Sequence, residues 1–201
     1  MFRVFIFALA LAGQSGTVTG SAEAVDGSSV RIDGVEYSLW GLDAPGPGAI
    51  CADDGGEPYH CDEAARAHLA GIIAGAASSL ELAARQGHPR YEDLNAVRCE
   101  VQEATRSAPS SAIARCELLI PACMGPDCTD RWFDLTGELI EVGLGAQRRD
   151  ETDGRYDELE VGSCYGRLGV WGVADGAGVA RAQPHLEGCD SEVMSAPTIE
   201  S

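Results

Sequence analysis

The fold is decided by the stretch VDGSSVRIDGVEYSLWGLDAP, residues 25–45, in which apolar segments follow one another across short turns. Together with the residues before it, this stretch predicts three strands, at about 17–25, 28–32 and 35–42. The turns between them are Asp26-Gly27 and Asp33-Gly34. Asp-Gly pairs favour tight hairpins because both residues tolerate a positive φ. The sequence therefore predicts an antiparallel meander that ends at Asp43.

The rest of the chain alternates helical and strand-like segments. Helical spacing of apolar residues starts at Cys61, and residues 77–95 are interpreted as an insertion that Gly87 and Pro89 interrupt. The remaining predicted elements are strands at 96–103 and 112–120, a helix within 133–145 in which Leu135, Leu139 and Val142 share a face, and a helix from Asp153, its N-cap, toward Trp171. This order predicts a mainly β member of the α+β class: a five-stranded OB-type barrel with about three helices packed on it.

Charge limits the partners of this protein. The 201 residues carry a formal net charge of -18, and all 14 basic residues are arginine because the sequence contains no lysine. An acidic surface repels phosphate backbones, so nucleic acid is disfavoured as a partner. A protein or glycan ligand, of unknown identity, remains open.

The N-terminus indicates export. Residues 1–12 combine Arg3, a short apolar run and small residues in an A-x-A arrangement, which is typical of a cleaved secretory signal; the alternative is a buried first strand. No later segment carries the run of about 20 apolar residues that a membrane span needs. We expect a periplasmic or secreted protein with one domain at 13–172 and a flexible tail at 173–201.

Eight cysteines favour disulfide bonds in an exported chain, whereas the scattered histidines argue against a zinc site. Many pairings are possible, but the predicted topology narrows them. Each of the first three pairs flanks a loop or joins neighbouring strands, and the last pair would tether the tail. The predicted pairs are Cys51–Cys61, Cys99–Cys116, Cys123–Cys128 and Cys164–Cys189.

Five short segments, in this order, resemble the thermonuclease-like (staphylococcal nuclease-like) family. The opening stretch is similar to the family's V-x-D-G-D-T and R-L-x-G-I-D-A/T-P-E motifs, and CDEAARAHLAGIIAG to its C-G-x-x-A-x-x-x-L helix. IARC, DLTGELIEVGLGA and YDELEVGSCYGRLGVWG are similar to its later strand and helices. The resemblance covers about 17–172 and implies an OB barrel with a calcium-dependent phosphodiesterase site.

The same resemblance implies that the site has lost its chemistry. The positions of the family's metal carboxylate, its two arginines and its glutamate are taken by Ser28, Ser38, about Ser111 and Gly46. Asp43, beside the carbonyl of Ala44, is the one calcium carboxylate that the resemblance retains. We therefore expect a weak metal site, no cofactor and no catalytic residue.

Other residues were considered as substitutes. Asp26, Arg31, Glu36 and Arg115 lie near the expected positions, but a one-residue shift in a strand turns a side chain to the opposite face. Asp53, Asp54 and Glu57 form an acidic loop without EF-hand spacing. Trp40, Trp132 and Trp171 are interpreted as core aromatics because they are not interleaved with basic residues.

The sequence thus predicts an exported thermonuclease-like domain that is not an enzyme and serves as a binding or structural module. The alternative hypothesis is a calcium-dependent nuclease that hydrolyses DNA or RNA with a rearranged site.

Overall fold

A computed structural model describes residues 16–53, 57–102, 112–124 and 127–171. The predicted signal sequence at 1–12 and the predicted tail at 173–201 lie outside these residues, as do Asp54 and Ser111. Everything below concerns the described part of the chain.

The strands, in chain order, are β1 (Thr17–Gly20), β2 (Ala22–Ala24), β3 (Ser29–Ile32), β4 (Val35–Leu39), β5 (Leu42–Asp43), β6 (Ile50–Ala52), β7 (Pro58–His60), β8 (Val97–Val101), β9 (Ala112–Met124), β10 (Asp127–Asp134) and β11 (Ala146–Gln147). The helices are α1 (Cys61–Arg85), α2 (Leu135–Glu141), α3 (Arg149–Thr152) and α4 (Asp157–Tyr165).

One large sheet dominates the structure. Its strand order is β1-β8-β9-β4-β3-β2, with β10 paired to the far part of β9. The β4–β9 pair is parallel, whereas the other pairs in this sheet are antiparallel. The result is a mixed structure of a seven-stranded sheet and helices, larger than the predicted five strands, and its hydrogen-bonded ladder does not close into a ring.

The Asp33-Gly34 hairpin is confirmed. Both residues have positive φ values, 49° and 84°, and Ile32 pairs with Val35 across the turn. The first and third predicted strands are each divided. Ser21 separates β1 from β2, and Gly41, with φ of 74°, separates β4 from β5.

Helix α1 continues through the first part of the predicted insertion at 77–95, and this part belongs to the core. Ala65, Leu69, Ile73, Ala76, Leu80 and Ala83 are buried along one continuous face, so the helix keeps its core contacts to its end. Only after Arg85 does Gly87, with φ of 96°, turn the chain away. By length and composition alone, α1 also meets the criterion for a membrane span, and its exposed alanines and glycines contribute to that composition.

The helices after β10 agree only in part with the predicted ones. Leu135 and Leu139 of α2 are fully buried as predicted, whereas Val142 is partly exposed just beyond its end. Asp153 is not an N-cap. It adopts a left-handed conformation, φ 50°, that ends α3, and the predicted third helix is therefore split into α3 and α4.

The disulfide predictions hold wherever they fall on described residues. Cys51–Cys61, Cys99–Cys116 and Cys123–Cys128 are bonded. Cys164 is disulfide-bonded as well, and its predicted partner Cys189 lies outside the described residues. Several disulfides indicate an oxidising compartment, extracellular or periplasmic.

These bonds differ in the loops they close, which gives a stability prediction. Cys99–Cys116 closes a 17-residue loop within the core, and Cys123–Cys128 a 5-residue loop at a hairpin tip. By loop entropy, removing the first pair with alanine at both positions should cost about 3 kcal/mol, and removing the second about 2 kcal/mol. Urea unfolding of the two double variants measures the difference. A larger cost at the hairpin tip would contradict this explanation.

Candidate functional site

A cavity of about 360 Å³ lies beside Asp43, between the β2–β3 turn, the loop after β5 and the start of α1. We call it the Asp43 cavity. Its charged lining residues are Asp26, Asp43, Asp62, Glu63, Arg66 and Arg148, and its remaining wall is formed by small or apolar residues that include Ser28, Ala44 and Gly46. The structure therefore brings together most of the positions that the resemblance singled out. Ser38 is not part of this lining.

Asp43 is positioned by a short strand pair. In the β5–β11 ladder, Asp43 lies opposite Ala146, and Leu42 lies opposite Gln147. Leu42 and Gln147 are both buried, so this part of the β5–β11 ladder is fixed in the core. Asp43 can therefore face the cavity because its neighbours on both strands are fixed in the core.

Behind β11, a buried polar network fixes Gln147. Glu160 is fully buried and accepts hydrogen bonds from the backbone N–H of Gln147 (3.0 Å) and from its Nε2 (2.9 Å). The Gln147 Oε1 in turn accepts from the Thr152 hydroxyl at 2.8 Å. The position of β11, and through it that of Asp43, thus depends on a carboxylate on α4.

Asp26 is occupied by the turn that it begins. Its Oδ1 accepts hydrogen bonds from the Ser28 N–H (2.7 Å), the Ser28 hydroxyl (3.0 Å) and the Ser29 hydroxyl (2.8 Å). Ser29 in turn pairs with Ser38 across β3 and β4. Ser28, at the position where the resemblance implies a metal carboxylate, therefore helps to build a turn.

Asp62 closes the cavity on the side of α1. Its Oδ2 accepts a hydrogen bond from the Gly48 N–H at 2.6 Å, and this bond is the main reason why the pKa of Asp62 lies below its usual value. The loop after Pro45 is thereby tied to the first turn of α1.

Sequence reasoning missed Arg66 and Arg148. Arg66 lies one helical turn after Asp62 and Glu63, so the spacing on α1 offered a signal for it. Arg148 follows β11, its backbone N–H donates to the Gly41 carbonyl at 2.8 Å, and its guanidinium lies 3.5 Å from Glu151. Nothing local in the sequence connects Arg148 with Asp43. With four carboxylates and two guanidiniums, the cavity lining is negative overall.

The other proposed substitutes lie elsewhere. Arg31 forms surface ion pairs with Glu23 (2.7 Å) and Glu36 (3.6 Å) and does not line the cavity. Arg115 binds Asp134 at 3.1 Å and Glu117 at 3.2 Å on the outer face of the sheet. Asp53 accepts a hydrogen bond from the Glu57 N–H within its own loop.

The acidic residues of the cavity do not form a compact ligand group. In the described part of the chain, the group of metal-ligating side chains whose ligand atoms lie within 4.8 Å of one another is His88, Cys123 and Cys128. Those two cysteines form a disulfide and offer no thiolate.

One tryptophan prediction is wrong. Trp171 is buried and Trp40 packs against the core. Trp132, on β10, lies at the surface, with 36% of the residue exposed. The guanidinium of Arg98 lies 3.6 Å from its ring centroid. The sequence did not reveal this pair because Arg98 comes from β8, two strands away in the sheet.

No protein-family model matches the sequence. The chain is similar to the succinoglycan biosynthesis protein ExoI of Rhizobium meliloti (strain 1021), with 26% identity over 176 residues, which cover 86% of this chain and 70% of that protein.

Proposed function

We propose that this protein is an exported binding module built on a thermonuclease-like OB barrel that has lost nuclease chemistry. The observation that carries the proposal is the lining of the Asp43 cavity. Serine and glycine, at Ser28 and Gly46, occupy positions where the family carries carboxylates, and Asp26 is occupied by its own turn.

The strand order supports the OB part of the proposal. Strands β1 and β2 are separated only by Ser21 and pair with β8 on one side and β3 on the other, so they act as one bent strand. Counted in this way, the bent strand, β3, β4, β9 and β8 are five strands, and the parallel β4–β9 pair joins the β3 side of the sheet to the β8 side. An OB fold is a partly open Greek-key barrel of five strands.

The spacing of the carboxylates supports the loss of activity. Phosphodiester hydrolysis with calcium needs about six to eight oxygen ligands around the ion and cations that neutralise the phosphate. Among the described residues, no three carboxylates of this lining have oxygen atoms within 4.8 Å of one another. The lining therefore offers few protein ligands to any one ion.

The similar Rhizobium protein supports one partner class. Its name places it in succinoglycan biosynthesis. Of the two classes that the sequence left open, protein and glycan, we therefore favour a glycan.

A specific observation favours a second candidate, the calcium-dependent nuclease with a rearranged site. Arg66 and Arg148 line the same cavity as Asp43, and two guanidiniums are what phosphoryl chemistry requires. In this case they would replace the two arginines that the family carries at other positions.

A nuclease assay distinguishes the two candidates. Purified oxidised protein is incubated with single-stranded DNA and with RNA, in calcium and in chelator, beside a mock purification. We expect no cleavage above the mock sample, and the same result for Asp43→Asn, which keeps the size of the side chain. Chelator-sensitive cleavage that disappears in Asp43→Asn, Arg66→Gln and Arg148→Gln would establish the nuclease instead.

A further inference from the structure

A second cavity, of about 390 Å³, lies between β10, α2 and α4 and shares no lining residue with the Asp43 cavity. We call it the aromatic cleft. Its side chains include Trp132, Phe133, Glu138, Glu141, Arg155 and Tyr156. Its volume falls within the range of about 300–1,000 Å³ that is common for small-molecule sites.

Trp132 provides an ordered aromatic surface in this cleft. Its ring is held by the Arg98 guanidinium at 3.6 Å, and Arg98 is itself held by Glu117, to which its Nη2 donates at 2.6 Å. Cation–π contact and the ion pair restrict the ring while leaving part of it in solvent. A flat apolar ring held in this way is suited to stacking against a ligand.

Tyr156 gives the cleft a rigid base. It is buried, and its hydroxyl donates to the Asp134 Oδ2 at 2.9 Å. Asp134 also accepts from the Arg115 Nε at 3.1 Å, so the hydroxyl and the carboxylate are both occupied in holding α2 and α4 together. These two side chains shape the cleft and leave ligand binding to others.

Two glutamates and one arginine supply the hydrogen-bonding groups of the cleft. Glu138 and Glu141 lie three residues apart on α2, and neither forms a hydrogen bond or an ion pair within the described residues. Glu138 is half-buried, and its pKa is raised by burial first and by the charges of Glu141 and Asp134 next. The partly exposed Arg155 lies 5.8 Å from the Tyr156 ring centroid, and its Nε is 3.9 Å from Asp134 Oδ2, so its Nη groups supply the donors.

We propose that the aromatic cleft binds a neutral saccharide. A sugar presents C–H groups that can stack on the indole of Trp132, and hydroxyls that donate to the two glutamates and accept from Arg155. Carboxylates outnumber guanidiniums in the cleft, so uronic acids and phosphorylated sugars are disfavoured. This inference concerns a different cavity from the Asp43 site and does not depend on whether the nuclease is lost.

The test is calorimetric titration of the full oxidised protein with neutral oligosaccharides of glucose, galactose and mannose, and with oligogalacturonate and chitosan oligomers as anionic and cationic probes. We expect at least one neutral oligosaccharide to bind and to change tryptophan fluorescence. Trp132→Ala and Glu138→Gln should each weaken that binding by about tenfold or more, because each removes a contact worth about 1.4 kcal/mol.

Matched controls separate binding from folding. Tyr165 is a half-exposed aromatic and Glu92 an exposed glutamate, and both lie outside the cleft, so Tyr165→Ala and Glu92→Gln should keep the affinity. Thermal melts show whether each variant is folded. The proposal is overturned if no neutral oligosaccharide binds, if only a charged probe binds, or if folded Trp132→Ala binds as tightly as the parent protein.

Discussion

Replacing Glu160 with alanine is expected to lower the free energy of unfolding by about 4 kcal/mol. Glu160 is fully buried and accepts from the backbone N–H and the Nε2 of Gln147. Without the carboxylate, the buried N–H would be unsatisfied, which costs about 1–3 kcal/mol, and the Nε2 would keep its bond to Asp157 Oδ1 at 2.6 Å. A cavity at the site of the lost side chain would add to the cost. Single domains are stable by only about 5–15 kcal/mol, so the variant should be close to unfolding at moderate temperature.

Urea unfolding followed by circular dichroism measures this change. Glu158→Ala is the matched control, because Glu158 lies on the same helix and is exposed. It should change stability by less than about 0.5 kcal/mol. The loss of unfolding free energy in Glu160→Gln should lie between those of Glu158→Ala and Glu160→Ala. The new amide can accept from the Gln147 N–H through its oxygen, but its NH2 group would face the Gln147 Nε2, which is also a donor. Equal stability of the two alanine variants would show that the buried network does not support β11.

The second large effect is expected at Asp134, where alanine should cost about 4 kcal/mol. Its Oδ1 caps α2 by accepting from the N–H groups of Thr136 (3.0 Å) and Gly137 (3.3 Å). The cap contributes about 1 kcal/mol. Loss of Oδ2 leaves the buried hydroxyl of Tyr156 without its acceptor, at about 1–3 kcal/mol. It also removes a charged hydrogen bond of Arg115, worth about 1.5–3 kcal/mol, while the contact of Arg115 to Glu117 at 3.2 Å remains.

Asp134→Asn is the control that keeps the cap and the size of the side chain but removes the charge. We expect it to lose less unfolding free energy than Asp134→Ala.

A second measurement tests the contact between Asp134 and Tyr156. Burial raises the pKa of Tyr156 above 10, and the charge of Asp134 and its hydrogen bond raise it further. Alkaline titration of tyrosine absorbance should therefore show a lower pKa for Tyr156 in Asp134→Asn, with Tyr156→Phe identifying the signal. An unchanged titration would contradict the assigned contact.

The parts of the fold that are determined by residues close together in the sequence could be predicted. Asp33 and Gly34 specify their hairpin by local conformation alone, and the Cys99–Cys116 bond follows once two consecutive strands are recognised. The sequence pattern predicts an insertion at 77–95 because Gly87 and Pro89 interrupt it, whereas the burial of Leu80 and Ala83 makes residues up to Arg85 part of the core helix α1. This burial depends on tertiary contacts, which the local pattern does not contain.

The residues of the candidate site also divide into those that could be predicted and those that could not. Asp43, Ala44 and Gly46 are adjacent in the chain, so their shared place in the cavity could be anticipated. Arg148 reaches the cavity only because β11 pairs with β5, a contact between segments about a hundred residues apart. Trp132 is likewise predicted as a core residue, because its exposure depends on the position of β10, which pairs with the far part of β9.

The parallel pair of β4 and β9 has a consequence for how the chain folds. It joins Tyr37 to Ala112, about 75 residues apart, so this contact closes a long loop before neighbouring contacts can stabilise it. Loop-closure entropy grows only slowly with length, by about 0.6 kcal/mol for each doubling. The local bond Cys51–Cys61 shortens the loop by about ten residues and therefore hardly accelerates its closure. Long-range strand pairing of this kind makes folding slow, and β4 remains an open strand edge until the second half of the chain has arrived.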